Sequence, residues 1–224
     1  MDPAFQRFLR IAVEGRVWQF RAMPFGLNVA PRAFTHLLAP VAAHLRSQGI
    51  LLHRYLDDWL IRGSSVEETA NHTSCVLHLF RRLGWLVRIE KSDLHPRQDF
   101  VFLGVRFNLE RGTVAPPPDK AAGVVTLVDT ILAQTRIRVR VLLRLIGLLN
   151  HVAEYIELGR LFLRPVQFFL LCHPLDLRLD LDAWLPLQPA FRLALLPWTD
   201  GQWLQTSVDL QPPPPLLTVA TDAS

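Results

Sequence analysis

Short apolar runs dominate the first half of the chain, and longer runs at helical spacing dominate the second. Phe8 to Ala12 and Val17 to Arg21 read as two short strands joined around Glu14-Gly15, a hairpin with a polar tip and apolar flanks. From about Pro31 to Gln48, Phe34, Leu37, Leu38, Val41 and Leu45 recur on one face, so a helix is expected there. Gly49 can close it, and Pro40 is expected to kink or break it. Ile50 to Tyr55 and Trp59 to Ile61 read as strands on either side of Asp57-Asp58. Ser64-Ser65-Val66-Glu67-Glu68 offers two overlapping capping boxes, Ser64 with Glu67 and Ser65 with Glu68. The helix they start turns Val66, Ala70, Leu77, Phe80 and Leu83 inward and stops at Gly84. Trp85 to Ile89 then reads as a strand, and Asp99 to Phe107 as another. That order predicts an α+β fold with helices on one face of an antiparallel sheet.

Pro116-Pro117-Pro118 marks a stiff linker and a domain boundary. Beyond it the period is helical, near Asp119 to Gln134 and again from about Val139 to Leu158. From His173 onward Pro, Trp and Asp replace periodicity, Pro212 to Pro215 forms a second spacer, and Leu216 to Ser224 resumes a strand.

A chain of 224 residues, half of them hydrophobic, can bury a substantial core in one large or two small domains. Its net charge of +4 is unevenly spread. Residues 1–118 carry fifteen Lys or Arg against ten acids, residues 119–172 seven against four, and residues 173–224 two against six. The basic part suits a phosphate backbone. Lys91 and Lys120 are the two lysines among 24 basic residues, and the arginines have the planar fork that fits phosphates and bases. Arg136, Arg138, Arg140 and Arg144 stand together with no acid between them, which fits either a grip on duplex backbone or a solvated helix end. Cys75 and Cys172 read as reduced core residues, and the eight histidines lack metal-ligand spacing. Without a long apolar span or a leader-like start, the expected location is intracellular, nuclear or cytoplasmic, with no membrane partner.

Chemistry centres on Tyr55-Leu56-Asp57-Asp58. Burying an unpaired carboxylate costs several kcal/mol, and two neighbours repel as well, so a divalent cation is the natural partner. Mg²⁺ takes one or two carboxylates plus substrate phosphates. An exposed Asp-Asp turn is the alternative.

Upstream, Met23-Pro24-Phe25-Gly26-Leu27-Asn28-Val29-Ala30-Pro31-Arg32-Ala33-Phe34 is a loop feeding a helix, followed about twenty residues later by Tyr-x-Asp-Asp. That order resembles the reverse transcriptases. The stretches Phe8 to Gly15, Leu45 to Ile50 and Tyr55 to Ile61 are similar to retrotransposon polymerases of the DIRS type, which carry a tyrosine recombinase. The resemblance implies an RNA-directed DNA polymerase with a truncated palm and remnant of fingers over residues 1–115. It further implies a helical thumb over 116–172, an irregular connection over 173–215, and the first strand of a ribonuclease H domain over 216–224.

By the same resemblance Asp57 and Asp58 hold Mg²⁺ or Mn²⁺, and Tyr55 supports the primer end or template, or else packs on its strand. Phe25 and Gly26 match a nucleotide-pocket loop, where a ring presses on the incoming sugar and the glycine lets the backbone come close. Lys91 matches a lysine near the departing pyrophosphate, or is a solvated turn residue. Phe102-Leu103-Gly104 matches the primer grip, or is an ordinary strand containing glycine. Asp222 matches the first metal carboxylate of ribonuclease H. Implied partners are an RNA or DNA template with DNA primer, and deoxynucleoside triphosphates. The family also needs a third metal carboxylate on a strand before the first hairpin, and residues 1–22 offer no match. Asp2 belongs to an Asp-Pro turn and Glu14 to a hairpin tip, so the chain reads as a fragment that begins too late. The alternative function is a catalytically inactive nucleic-acid-binding remnant or domesticated fragment.

Overall fold

In the computed structural model, which describes residues 2–176 and 180–211, Asp2 caps a single helical turn, α1 (Pro3–Gln6), by accepting from the Ala4 N–H at 2.9 Å. A hairpin follows between β1 (Arg10–Val13) and β2 (Arg16–Gln19), turned through Glu14 and Gly15 at φ +50° and +73°. Two positive φ values in a two-residue loop match the right-handed twist of the flanking strands.

Two helices and a second hairpin make up the rest of the first of two compact units, Met1–Pro96. Helix α2 (Ala30–Ser47) starts one residue earlier than its periodicity predicts and buries Leu38, Ala42 and Leu45. Pro40 does not break it. Pro40 is exposed, so the His36 carbonyl that loses its helical donor stays on the solvent side of the helix. The helix ends in two bonds, Gly49 N–H to Arg46 O and Ile50 N–H to Leu45 O, that carry the chain into β3 (Leu51–Tyr55). Strand β4 (Asp58–Arg62) pairs with it antiparallel, Tyr55 opposite Asp58 and Leu52 opposite Ile61.

Helix α3 (Val66–Arg82) uses the second of the two capping boxes. Ser65 accepts from the Glu68 N–H at 3.0 Å, while the Glu68 carboxylate reaches past the cap to the backbone and hydroxyl of Ser64. Those bonds, the hydroxyl's foremost, hold the Glu68 carboxyl below its ordinary range. Val76 is the helix's buried residue, whereas Val66 and Leu83 are exposed, against expectation. The predicted strand from Trp85 to Ile89 is absent. The Trp85 N–H instead closes the end of α3 on Phe80 O at 2.9 Å, and its ring lies 6.4 Å from that of Phe80 and 5.6 Å from that of Phe34. An apolar residue just past a helix C-terminus is drawn into the cap when no strand is there to pair with it.

The second unit, Arg97–Ser224, opens with a hairpin, β5 (Asp99–Phe102) and β6 (Val105–Asn108), where the sequence reads as one strand. Leu103 and Gly104, at φ +51° and +76°, make the turn. Strands β7 (Thr113–Ala115) and β10 (Val208–Asp209) extend it into a four-stranded antiparallel sheet, ordered β10-β7-β6-β5. Pro118 begins α4 (Pro118–Leu132). A short strand, β8 (Arg136–Arg138), leads into α5 (Val139–Val152), and β9 (Trp184–Pro186) pairs with β8.

The helix expected to run to Leu158 stops at Val152. Leu158 turns left-handed (φ +56°) and α6 (Gly159–Leu171) begins. A Cβ on Gly159 would stand 2.5 Å from Ala153 O and 2.6 Å from Ile156, so a side chain cannot occupy this corner without moving backbone. Helix α7 (Pro189–Leu195) and two 3-10 turns, Leu196–Thr199 and Trp203–Gln205, complete the unit. Leu185, Phe191, Leu195, Trp198 and Leu204 from this last stretch share one core with Val124, Val128, Leu142, Leu145, Leu149 and Val166 of the helices. Neither cysteine is in a core. Cys75 and Cys172 are free thiols on exposed positions of α3 and the end of α6, because the apolar stripe of each helix falls on neighbouring positions. The whole is the α+β arrangement predicted, and no helix of the described residues is long and apolar enough to cross a membrane.

Candidate functional site

Directly paired residues of an antiparallel ladder share a face, and that rule sets the chemistry of the β3–β4 hairpin. Leu52, Arg54, Trp59 and Ile61 lie on one side, where Leu52, Trp59 and Ile61 join Ala42, Leu45 and Val76 in a small core. The Trp59 ring meets Phe80 edge-on at 4.9 Å. Arg46 donates to Leu52 O at 3.1 Å and Arg54 to Thr35 O at 3.0 Å, so α2 fixes the strand at two points. The opposite face carries Leu51, His53 and Tyr55 of β3, with Asp58, Leu60 and Arg62 of β4.

Asp58 therefore stands beside Tyr55 on the open face, and Asp57 stands in the turn itself. Tyr55 is 59% exposed. Both carboxylates are exposed and, among the described residues, neither takes part in a hydrogen bond or ion pair. The burial cost that the apolar flanks suggest is not incurred, because alternation sends the flanking side chains to the core and the turn lifts the acids clear of it. The turn has a cost of its own: Leu56 sits at φ +52°, a conformation that disfavours a side chain by roughly 1–2 kcal/mol. Strain of this kind persists only where surrounding structure enforces it, and the two anchored strands do so here.

As a donor set, two solvent-facing carboxylates are hard oxygen ligands with free lone pairs. They fit a divalent ion whose remaining ligands come from substrate phosphates and water. Among the described residues no group of three or more His, Cys, Asp or Glu is gathered that could hold a metal by itself.

The other expected site residues fall as follows. Phe25 is fully exposed in the loop before α2, and Gly26 beside it is left-handed at φ +92°. Lys91 is exposed at the end of a 3-10 turn, Ile89–Lys91. Phe102, Leu103 and Gly104 form the end of β5 and its turn, in the second unit. Asp222 lies outside the described residues.

Of the arginines at the entrance to α5, Arg136 donates to Trp184 O and Arg138 lies over the Trp184 ring, 4.8 Å from its centroid. Arg140 bonds Asp182 at 3.0 Å, an acid forty-two residues away in sequence but opposite it in space. Arg144 is exposed. Sequence reasoning missed Lys120 and His151, which meet at the Gly104 carbonyl. The signal for Lys120 was available, since it is one of the two lysines in the chain.

Two curated relatives, the genome polyproteins of petunia vein clearing virus isolates Shepherd and Hohn, are each 24% identical to the chain over 144 residues. The match takes in 64% of this chain and 6% of either polyprotein, so the chain spans a small part of the relatives' length. Residues 2–107, a little under half of the chain, are similar to the family model described as reverse transcriptase (RNA-dependent DNA polymerase).

Proposed function

We propose that the chain is the palm-and-thumb portion of an RNA-directed DNA polymerase from a retrotransposon polyprotein of the DIRS-like, tyrosine-recombinase type. In this reading residues 1–115 form the palm, 116–172 the thumb, 173–215 the connection and 216–224 the first strand of ribonuclease H, with Asp222 a metal carboxylate there. The observation that carries it is the Tyr55–Asp58 hairpin: two free, outward carboxylates on a strained turn, held by α2 and α3 inside the stretch that matches the family.

Asp57 and Asp58 would hold Mg²⁺ or Mn²⁺. Bound there, the ions would supply neutralisation of phosphate charge and activation of a primer 3′-hydroxyl for attack on the α-phosphate. The chain's own residues align the reactants. Tyr55, on the same face as Asp58, offers a flat ring and a hydroxyl to the primer end or template. Phe25, free of packing, can lie against an incoming sugar, with Gly26 leaving the backbone accessible. Lys91 can neutralise or protonate departing pyrophosphate, and the Phe102-Leu103-Gly104 turn can contact the primer backbone. Template, primer and deoxynucleoside triphosphates are the partners, in the nucleus or cytoplasm.

Primer extension on an RNA template with Mg²⁺ tests this directly. Extension by the wild-type chain would mean that two carboxylates suffice, and it should then fall by at least about 10²-fold in Asp57→Asn, the scale of losing one electrostatic contact to a transition state. Absence of extension by the wild-type chain rejects catalysis by this chain. A second reading, duplex binding by a catalytically inactive remnant, is favoured by the basic excess of residues 1–118, fifteen Lys or Arg against ten acids, and by the exposed Arg144 of α5. It predicts salt-sensitive binding to primer-template that persists in Asp57→Asn. Undetectable binding at low salt discards it.

A further inference from the structure

Beneath the Leu103-Gly104 turn two titratable side chains from separate helices converge on one backbone oxygen. Lys120 Nζ, from the first turn of α4, lies 3.3 Å from Gly104 O and 3.0 Å from His151 Nε2. His151 Nε2, from the last turn of α5, lies 2.9 Å from the same oxygen. All three groups are partly buried. The platform is rigid: Ala121 and Val124 beside Lys120, and Leu149 and Val152 beside His151, are buried in the main core of the unit. The Tyr155 ring packs edge-on against the imidazole at 5.6 Å. A Cβ on Gly104 would overlap Lys120 Nζ, so glycine here answers two demands at once, the left-handed turn and the approach of the ammonium.

We propose that Lys120 is a positioning residue that clamps the Gly104 carbonyl and thereby fixes the turn, with His151 accepting from the same ammonium and holding it in place. The proton arrangement follows from the three distances. Lys120 carries its charge and only donates, so a second N–H on Nε2 would set donor against donor. The imidazole is therefore neutral with its proton on Nδ1, and the ammonium bridges two acceptors, Nε2 and the carbonyl, that lie 2.9 Å apart and would repel without it. Hydrogen bonds from a charged donor are about twice as strong as neutral ones, which suits a contact that holds a strained turn in place. Any consequence for primer alignment rests on the reading of residues 102–104 as the primer-contacting turn.

Two measurements on the full chain test the clamp. In ¹⁵N spectra of histidine-labelled protein at roughly pH 8, where an ordinary imidazole is neutral, His151 is expected to carry its proton on Nδ1. In Lys120→Met the proton is expected to move to Nε2, because the imidazole is then the sole remaining donor for the carbonyl. Hydrogen exchange at the amides of Leu103 to Val105 is expected to quicken at least about tenfold in that variant and to recover in Lys120→Arg. A wild-type His151 protonated on Nε2 overturns the clamp, as does unchanged exchange at the turn in a folded Lys120→Met protein. If Lys120→Met fails to fold, the wild-type tautomer decides alone. Primer-template affinity separates the clamp from its use: a loosened turn with unchanged affinity keeps the clamp and removes the primer role of residues 102–104, and an unaltered turn removes the clamp whatever the affinity.

Discussion

The unit that carries the twin aspartates is the one with little core, and the unit that follows it is packed throughout. In Met1–Pro96 the main buried cluster comprises Ala42, Leu45, Ile50, Leu52 and Val76, and the β1–β2 hairpin buries none of its strand residues, leaving Trp18 and Val17 exposed. In Arg97–Ser224 twenty-one buried residues join four helices to the β8–β9 pair. Each fully buried Leu, Ile, Val or Phe contributes roughly 1.5–3 kcal/mol, so the second unit is by far the more strongly held. Functional elements are drawn from the less stable parts of proteins, where exposed groups stay available to ligands. The contrast teaches that a carboxylate hairpin can be locally rigid, through Arg46, Arg54 and Trp59, within a unit that is globally marginal.

The largest effect that could break this contrast comes from the cores. Trp198, in the 3-10 turn Leu196–Thr199, is fully buried in the main core, and Trp198→Ala is expected to cost about 3–5 kcal/mol. In denaturant titrations followed by hydrogen exchange, the loss should appear in amides of α4 to α6 and leave those of β3 and β4 unchanged. Leu45→Ala, at about 2–5 kcal/mol, should do the converse and by itself unfold most of the first unit. Should either substitution shift all amides together, the two units melt as one body and the contrast is lost. Next in size is Gly159→Ala, which drives a methyl into Ala153 O and Ile156 and should lower the second unit's stability by about 1–3 kcal/mol, read as a lower denaturant midpoint. No change in midpoint would mean that the corner between α5 and α6 yields freely.

Much of this was legible in the sequence, for reasons that differ by element. The Asp57-Asp58 hairpin and the Glu14-Gly15 turn could be placed because local signals, polar tips between short apolar runs, act over a few residues. Helices α2, α3 and α4 were placed nearly to the residue because a cap and a period agree. What stayed hidden depends on distant partners. Trp85 reads as strand until Phe80 and Phe34 are seen to hold its ring, and α7 with its following turns has too few residues to show a period. The early end of α5 at Val152 was hidden because residues 153–158 carry no strong stop and the helical reading runs on to Leu158, just before Gly159, while the close backbone of Ala153 exists only after folding. Exposure of the two aspartates stood in the sequence only as one of two alternatives, since it depends on which face of the hairpin α2 and α3 cover. The clamp on Gly104 joins residues sixteen and forty-seven positions away, beyond any local pattern.

A smaller effect sharpens the contrast from the side of the first unit. Leu56 holds a left-handed conformation that glycine adopts without penalty, and the gain from relief exceeds the entropy glycine loses on folding. Leu56→Gly should therefore raise the stability of the β3–β4 hairpin by about 0.5–1 kcal/mol, read as slower exchange of its paired amides. If the strain serves to present Asp57 and Asp58, the same substitution should reduce primer extension while stability rises. A gain in both would show that Leu56 is tolerated and not used.

The smallest effect lies in the second unit, at an exposed pair on the β5–β6 hairpin. Arg106 donates through two nitrogens to both oxygens of Asp99, at 2.9 and 2.6 Å, and those bonds, reinforced by its charge, hold the Asp99 carboxyl below the ordinary value of 3.8. A carboxyl lowered on folding contributes stability that is present above its unfolded value and disappears as the pH falls through its folded one. The hairpin should thus weaken on acidification below roughly pH 4, a change that Asp99→Asn abolishes. Both partners are solvent-exposed, so added salt should screen much of the difference. Because the pair is local to one hairpin, the acid transition should spare α4 to α6, whose core carries no buried charge. If those helices lost protection in step with the hairpin, their stability would depend on Asp99, and the independence of the packed core from its sheet would have to be given up.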